Sequence, residues 1–440
     1  MNSYQIDKQL EPVLRQMEEN GVKLDVKLLE KLSLELDLKL RELTSEIHKD
    51  IGREFNLNSP SQLSEILYNE LKIKPRQSGI KYGKQHFSTS AQSLEKIKHL
   101  HPAIERILLY REMAKLRSTY VDPLPKLVDE NQRLHTHYAV DTSTGRLSSK
   151  NPNLQNIPIK SDYSKKIRQA FIAEKNCKLI KADYSQIELR IIAHLSGDET
   201  LIKIFKDGKD VHRQTAEEMG CDRRTAKVVN FGVLYGMSAY GLSDTLKIPV
   251  EEAQFFIDKY FLTFKGVKKY IDKIIADAQK NGYVETLFGR KREIKELKSS
   301  NKYLRNFGIR VAVNTPVQGT AAEIIKLAML ALNTKPEIRN SKQLSNDPNS
   351  NIQNKDLRNS DIEKLEFVSS FDIRDSKLIL QVHDELVFEV PDEKVQEAIK
   401  IIRDKMENVC LDPKLGGVKL KVPIIVDIKV GKNWNDMDGL

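Results

Sequence analysis

Cysteine and long apolar runs are scarce in this chain. Its 440 residues include three cysteines, Cys177, Cys221 and Cys410, whose spacing fits neither a zinc site nor a disulfide framework. No apolar stretch approaches the roughly 18 residues of a transmembrane helix, and the first residues lack the basic-then-apolar pattern of a secretory leader. The sequence excludes a disulfide scaffold and predicts free thiols, no membrane partner and a reducing, cytoplasmic location.

Charge is plentiful and biased towards one sign. The chain has 72 Lys and Arg residues against 62 Asp and Glu residues, a formal net charge of +10. A basic surface favours a polyanionic partner, although a basic chain alone predicts nucleic acid only weakly. The length allows a large body with several lobes.

Two aspartates stand at the predicted ends of apolar strands. Residues 178–183 are short, apolar and closed by Asp183, after which Ile187, Ile191 and Leu195 follow helical spacing. Asp384 lies between two β-prone runs, 378–382 and 386–390, which predict a hairpin whose tight turn carries the acids. Either aspartate alone is typical of a turn or cap residue.

The two aspartates together indicate a metal site. Although about 200 positions apart in the chain, both sit where a strand ends, which suits a pair of Mg²⁺ ions about 3.5 to 4 Å apart. Mg²⁺ needs few carboxylates because it retains waters and takes further ligands from substrate phosphates. Mn²⁺ is expected to substitute for it.

A third stretch carries cations and aromatics on one line. Arg223, Lys227, Phe231 and Tyr235 are spaced at i, i+4, i+8 and i+12, which places them on one slowly drifting helical stripe. Arg and Lys bind phosphate, and aromatic faces pack against a base or sugar, so the helix could lie along a nucleoside triphosphate. A core helix with a wet basic end is the alternative, but it does not explain why the cations share the aromatic stripe.

In this order the stretches resemble the polymerase region of family A DNA polymerases, the bacterial DNA polymerase I type. The resemblance covers nearly the whole chain. Its motifs match 183–190, 223–236 and 383–385, and further signature runs match 144–149, 152–158 and 310–320. The family implies an α+β fold of right-hand architecture, with a helical thumb, an antiparallel-sheet palm and helical fingers.

The resemblance also implies a role for each matched residue. Asp183, Asp384 and the Tyr184 carbonyl would hold the metal ions, with Glu385 beside them as a further catalytic residue. Lys227 would also protonate the departing pyrophosphate, and Glu188 would block a 2′-hydroxyl. The implied dNTP-binding residues are Arg223, Lys227, Phe231, Tyr235, His212, Glu188 and Gln186. The implied primer-template residues are Arg146, Asn153, Gln155, Arg310, Asn314, Gln318, His383, Lys115 and Arg117, of which Lys115 and Arg117 would equally suit a solvated helix face.

The expected domains follow the family. An N-terminal segment and helical thumb would span 1–130, the first part of the palm 131–199, the fingers 200–304 and the second part of the palm 305–440. Within the thumb, Leu29, Leu32, Leu36 and Leu40 mark one helical face, and Asn58-Ser59-Pro60 opens another helix near Ser61. No stretch before the thumb is long enough for an exonuclease domain, so neither proofreading nor 5′ nuclease activity is expected.

Two departures from the family stand out. The connection between His212 and Arg223 is shorter than in the common bacterial form, which weakens the role of His212. An insertion at about 335–372 is polar between Asn340 and Ser360 and predicts a flexible surface loop, in which Leu365–Val368 could add a strand.

The predicted function is template-directed DNA synthesis from dNTPs on a primer 3′-hydroxyl. Its partners would be primer-template DNA and dNTPs, the chain would act as a monomer, and a separate exonuclease or replication partner is possible. One alternative is a phage-type single-subunit RNA polymerase, against which Glu188 and Phe231 argue. Another is a catalytically silent DNA-binding accessory subunit, against which Asp183, Asp384 and Lys227 argue.

Overall fold

The computed structural model describes residues 1–73, 81–82, 86–140, 143–333, 376–415 and 417–439. The predicted insertion at about 335–372, with its possible strand at Leu365–Val368, lies outside the described residues. Within them, no helix is long and apolar enough to cross a membrane. All three cysteines are unpaired, as the sequence predicts.

The N-terminal region is mainly helical. In α2 the periodic Leu29, Leu32 and Leu36 are buried, and the side chain of Ser59 caps α3 by accepting from the Gln62 N–H, so both helix predictions are confirmed. The elements are α1 (Ser3–Asn20), β1 (Val22–Leu24), α2 (Val26–Ile51), α3 (Pro60–Ser64), β2 (Lys81–Tyr82), β3 (His86–Phe87), α4 (Ala91–Glu95) and α5 (Pro102–Leu116).

Short strands then lead into the longest strand of this part, β8. Strand β1 pairs with β4 and β7, which joins the N-terminal helices to this region, and β5 pairs with β6 as a hairpin. The elements are β4 (Arg133–Leu134), β5 (His137–Val140), β6 (Leu147–Lys150), α6 (Asp162–Gln169), β7 (Phe171–Ile172), β8 (Cys177–Tyr184) and α7 (Ile187–Ser196).

A second helical region follows. Asp222 caps α10 by accepting from the backbone N–H groups of Arg224 and Thr225, which sets where the cation-bearing helix begins. The elements are α8 (Glu199–Lys206), α9 (Val211–Met219), α10 (Arg223–Leu234), α11 (Ala239–Leu246), α12 (Val250–Thr263), α13 (Lys265–Asn281), β9 (Tyr283–Glu285) and β10 (Lys291–Glu293).

The C-terminal part returns to the sheet. It comprises α14 (Lys302–Asn333), β11 (Lys377–Val382), β12 (Glu385–Pro391), α15 (Val395–Asn408), β13 (Val426–Gly431) and β14 (Met437–Gly439). The central sheet has the order β11-β12-β8-β13-β14, and all of its pairings are antiparallel. The α+β class is therefore confirmed.

The two faces of β8 have different surroundings, since side chains alternate along a strand. Ile180, Ala182 and Tyr184 pack in the same hydrophobic core as the buried residues of α15. Lys181 and Asp183 point to the opposite face, where Leu179 belongs to a second core that includes Trp434. This alternation sends Lys181 and Asp183 to one face and Ile180, Ala182 and Tyr184 to the face that packs on α15.

Candidate active site

The two predicted metal-binding aspartates lie at the same edge of the central sheet. Asp183 is the second-last residue of β8, and Asp384 lies in the turn between β11 and β12. The Tyr184 backbone N–H donates to the Asp384 carbonyl over 3.1 Å, which ties the two segments together. The strand-to-helix junction at Asp183 and the hairpin at Asp384 are confirmed. Glu385, however, lies on β12 rather than in the turn.

Negative charge accumulates at this edge. In the sheet Asp183 stands opposite Glu385 on one side and Asp427 on the other. The pKa of Asp183 is raised to about 6, chiefly because burial disfavours the charged form; the charge of Lys181 opposes this rise, and the charges of Glu385, Asp384 and Asp427 add to it. Burial also raises the pKa of Asp384. Carboxylates held together against their own repulsion favour a bound cation.

The donor set fits Mg²⁺ better than a metal that needs a complete protein cage. No group of three or more His, Cys, Asp and Glu side chains placed to hold a metal occurs in the described part of the chain. Two carboxylates and the carbonyl of Tyr184 are a sparse oxygen set, and Mg²⁺ completes such a set with waters and substrate phosphates.

Glu385 is engaged by the protein itself. The Trp434 indole Nε1–H donates to its Oε1 over 2.6 Å, and the Lys181 ammonium forms an ion pair with its Oε2. Lys181 also lies 3.9 Å from Asp183 Oδ2. The predicted neighbour of the two aspartates is thus in place, with both of its carboxylate oxygens occupied by protein donors.

The cations of helix α10 are exposed to solvent, whereas its aromatic side chains are half-buried against the protein. Arg223 and Lys227 are exposed, and the Arg223 guanidinium binds Asp210 through contacts of 2.9 and 2.8 Å. The helix ends at Leu234, so Tyr235 is its C-cap, yet the rings of Phe231 and Tyr235 stack with centroids 6.3 Å apart. The predicted stripe therefore exists, with Tyr235 just past the last helical residue.

His212 is buried rather than presented to solvent. Its Nδ1 accepts a 2.9 Å hydrogen bond from the Asn230 amide, and its ring centroid lies 5.6 Å from that of Phe231. Burial lowers the pKa of His212 to about 4, so the ring is neutral at physiological pH. A neutral ring offers a phosphate a hydrogen bond but no positive charge.

Glu188 connects the two halves of the site. Its carboxylate accepts a 2.8 Å hydrogen bond from the Arg146 guanidinium and a second hydrogen bond from the Tyr235 hydroxyl. Burial raises the pKa of Glu188 to about 7, and the charge of Asp384 adds to that effect. Gln186, the residue just before helix α7, is half-buried and has a left-handed φ of 54°. Glu188 thus joins the sheet edge to the end of the cation-bearing helix.

The predicted primer-template residues include a line on α14 and a set around a cavity that contains Asp384. Arg310, Asn314 and Gln318 are spaced at i, i+4 and i+8 on α14 and are all half-buried. Asn314 Oδ1 is buried without a hydrogen-bond partner in the described structure, so it is available to a bound donor. A small cavity, which Ala322 and Ile325 of the same helix help to line, is also lined by Arg146, Gln155, His383 and Asp384.

Other members of the predicted set lie elsewhere or are already engaged. Gln155 donates to Gln381 Oε1 over 2.9 Å, and Asn153 is exposed. Lys115 is exposed on α5, whereas Arg117 pairs with Asp37 at 2.6 Å and with Asp122 at 3.2 Å. The positive charge of Arg117 is therefore balanced within the protein, and this half-buried side chain does not lie on a solvated face.

A family model and the relatives place this chain among known proteins. The model of DNA polymerase family A matches residues 26–436. The chain belongs to DNA polymerase family A. It is 43% identical to the thermostable DNA polymerase I of Thermus thermophilus and 41% identical to DNA polymerase I of Deinococcus radiodurans, over 99% and 98% of its length. These alignments cover 48% and 42% of those proteins, so the chain spans about half the length of the curated relatives it matches.

A solved family A structure has the same fold. The POL domain of Pol1 from M. smegmatis, in complex with DNA primer-template and dNTP, superposes with a TM-score of 0.81 at 34% identity. The match covers 97% of this chain and 70% of that one. The right-hand architecture with helical thumb, sheet palm and helical fingers is therefore confirmed, while the domain boundaries remain predictions.

Three residues of this candidate site were not identified from sequence. Lys181 and Asp427 flank Asp183 on the sheet, and Trp434 holds Glu385. Lys181 had a local signal, since it is two residues before Asp183 and therefore on the same face of β8. Asp427 reaches the site through the pairing of β13 with β8, and Trp434 lies against Phe171; no local pattern reveals either contact.

Proposed function

We propose that this chain is a template-directed DNA polymerase that adds dNTPs to a primer 3′-hydroxyl. The observation that supports this most directly is the convergence on Glu188, which binds Tyr235 at the end of α10 and Arg146, a residue that lines a cavity together with Asp384. A metal site and a nucleotide-binding helix can serve the same reaction only if they are adjacent in the structure.

Asp183 and Asp384, with the carbonyl of Tyr184, would hold two Mg²⁺ ions. Family A DNA polymerases use divalent metal ions, and bound ions would supply activation of the attacking oxygen and neutralisation of charge on the phosphates. The protein residues would supply position and charge. Arg223 and Lys227 would bind the triphosphate, so that the primer 3′-oxygen lies in line with the α-phosphorus.

The bond changes are those of nucleotidyl transfer. The primer 3′-hydroxyl gives up its proton to solvent as a bond forms between its oxygen and the α-phosphorus. The bond from that phosphorus to the oxygen that bridges it to the β-phosphorus breaks, so that pyrophosphate leaves. Lys227 is exposed on the same stripe as Phe231 and Tyr235, where its ammonium would donate a proton to the departing pyrophosphate.

The sugar and the primer end would meet the buried side chains. Phe231 and Tyr235 would pack against the incoming sugar and base, and Glu188 would occupy the space that a 2′-hydroxyl needs. Arg146, Gln155 and the α14 line Arg310, Asn314 and Gln318 would contact the minor-groove edge of the terminal pair. Acceptors there are nearly independent of sequence, which suits an enzyme that must accept every base pair.

The test is primer extension on a primed DNA template with Mg²⁺ and either dNTPs or rNTPs. Template-directed dNTP addition that is lost in Asp384→Asn, with unchanged folding and DNA binding, is the expected result. Preferential use of rNTPs would support the RNA polymerase alternative. No extension by a folded, DNA-binding wild type would support the silent accessory subunit. We also propose that the chain binds DNA as a monomer, and light scattering of the complex tests this.

A further inference from the structure

A cluster of charged and aromatic side chains lies beside the aspartate edge. We define the Glu385 cluster as Lys181, Glu385, Trp434 and Arg168. The Lys181 ammonium and the Trp434 indole bind the two oxygens of Glu385. The Arg168 guanidinium stacks over the Trp434 ring, 3.8 Å from its centroid. The cluster is therefore continuous from α6 to β8.

Burial makes these contacts necessary for Glu385. The Glu385 side chain is 7% exposed and that of Lys181 is 19% exposed, whereas that of Asp183 is 42% exposed. A buried carboxylate is stable only with charged or hydrogen-bonding partners on its oxygens. Because both oxygens of Glu385 already have such partners, the more exposed Asp183 is the better placed of the two for a metal ion.

We propose that Lys181 is a positioning residue that keeps Glu385 out of metal coordination and sets the affinity of the aspartate edge for divalent cations. This inference rests on the proposed function, in which Asp183 and Asp384 are the metal ligands. Lys181 acts in two ways. It holds the Glu385 carboxylate, and it places a positive charge 3.9 Å from Asp183 Oδ2.

The expected size of the effect follows from Coulomb's law. A unit charge and a divalent ion about 6 Å apart in a medium with the dielectric of water interact strongly enough to change a dissociation constant about tenfold. Loss of the Lys181 charge should therefore tighten divalent ion binding about tenfold at low ionic strength. Loss of the Glu385 charge should weaken it by a similar factor.

The experiment measures Mn²⁺ binding to the protein without DNA or dNTP, by electron paramagnetic resonance at low salt. Lys181→Met should bind Mn²⁺ about tenfold more tightly than the wild type, and Glu385→Gln more weakly. The double variant Lys181→Met/Glu385→Gln changes no net charge and removes the buried pair together, so its affinity should return to within about twofold of wild type. Because the double variant leaves neither Lys181 nor Glu385 without its ion-pair partner, it also tests the proposal if Lys181→Met does not fold.

Lys429→Met is the matched control. Lys429 stands opposite Lys181 in the pairing of β13 with β8, but it is exposed. Water and salt screen an exposed charge, so its removal should change Mn²⁺ affinity much less. An equal shift in Lys429→Met would overturn the assignment to Lys181, as would unchanged or weaker binding in folded Lys181→Met. A double variant far from wild-type affinity would likewise overturn it.

Failure of this inference is distinguishable from failure of the proposed function. If Asp384→Asn does not weaken Mn²⁺ binding, the aspartate edge is not the metal site and the proposed function fails with it. If Asp384→Asn abolishes binding while Lys181→Met leaves it unchanged, only the role of Lys181 is wrong.

Discussion

The aspartate edge and helix α10 hold their charges in opposite ways. At the edge, Asp183, Asp384 and Glu385 are gathered by the pairing of three strands, and burial raises the pKa values of both aspartates. On α10, Arg223 and Lys227 stand in solvent, and Arg223 forms an ion pair with Asp210. Like charges are forced together in one region, and cations are kept hydrated in the other.

This difference indicates how the two regions contribute to the proposed reaction. The sheet holds carboxylates that repel one another in a fixed arrangement, which favours binding of a divalent cation. Exposed cations on a capped helix can exchange water for phosphate at little cost in desolvation. We therefore expect substitutions at the edge to affect the chemical step more than substitutions on the helix.

The largest effect is expected from Asp183→Asn or Asp384→Asn. Either change should lower the rate of nucleotide addition by about 10³-fold or more, because a metal ligand is lost. Folding should not suffer, since one of several repelling carboxylates becomes neutral. Rapid-quench single-turnover kinetics and thermal unfolding measure the two quantities. A large loss of stability with little loss of rate would show that these aspartates stabilise the fold rather than bind the metal ions of the reaction.

Lys227→Ala should have the next largest effect, about 10²-fold in kcat/KM for dNTP. Its neighbour Arg224 is exposed on the same helix but lies off the stripe, so Arg224→Ala is the control and should change kcat/KM much less. Equal losses in the two variants would mean that the helix contributes general positive charge rather than a specific contact. Steady-state kinetics with each dNTP provide the comparison.

Glu188 lies where the two regions meet, and its substitution tests whether size or charge matters there. Glu188→Ala should raise the ratio of rNTP to dNTP incorporation by about 10- to 100-fold, because it opens space for a 2′-hydroxyl. Glu188→Gln retains the volume and should keep most of the discrimination. If Glu188→Gln loses as much discrimination as Glu188→Ala, the negative charge of the carboxylate, and not its volume, excludes ribonucleotides.

The smallest effect concerns His212 and the pH dependence of folding. Its pKa is about 4 in the folded protein against 6.5 for an ordinary histidine, so the unfolded chain takes up the proton first as pH falls. Neutral His212 therefore makes its full contribution to the free energy of unfolding above about pH 6.5, and this contribution is lost as the pH falls towards 4. The loss between pH 7 and 5 is about 1–2 kcal/mol.

Urea unfolding at several pH values measures this dependence. His212→Gln should flatten the decline in the free energy of unfolding between pH 7 and 5, whatever its effect on stability at pH 7. His137→Gln is the control because the His137 side chain is 68% exposed. An unchanged slope in His212→Gln would show that the ring titrates normally and is open to water.

Local patterns predicted the parts of the site well. The end of β8 at Asp183, the hairpin at Asp384 and the stripe from Arg223 to Tyr235 all follow from strand alternation, turn position and helical spacing. Burial of His212 and the pairing of Arg117 with Asp37 did not follow. Each depends on a partner from another element, which a periodic pattern does not identify.

The sequence alone determined the chemistry available to this protein: its carboxylates, its stripe of cations and aromatics, and the ordered motifs that it shares with family A. Tertiary structure decided which of these groups meet. The pairing of β12 and β13 with β8 brings Glu385 and Asp427 to Asp183, and the contact from Tyr235 to Glu188 joins helix to sheet. The physical reason is that distances and burial, which control charge interactions, arise only when segments far apart in sequence pack together.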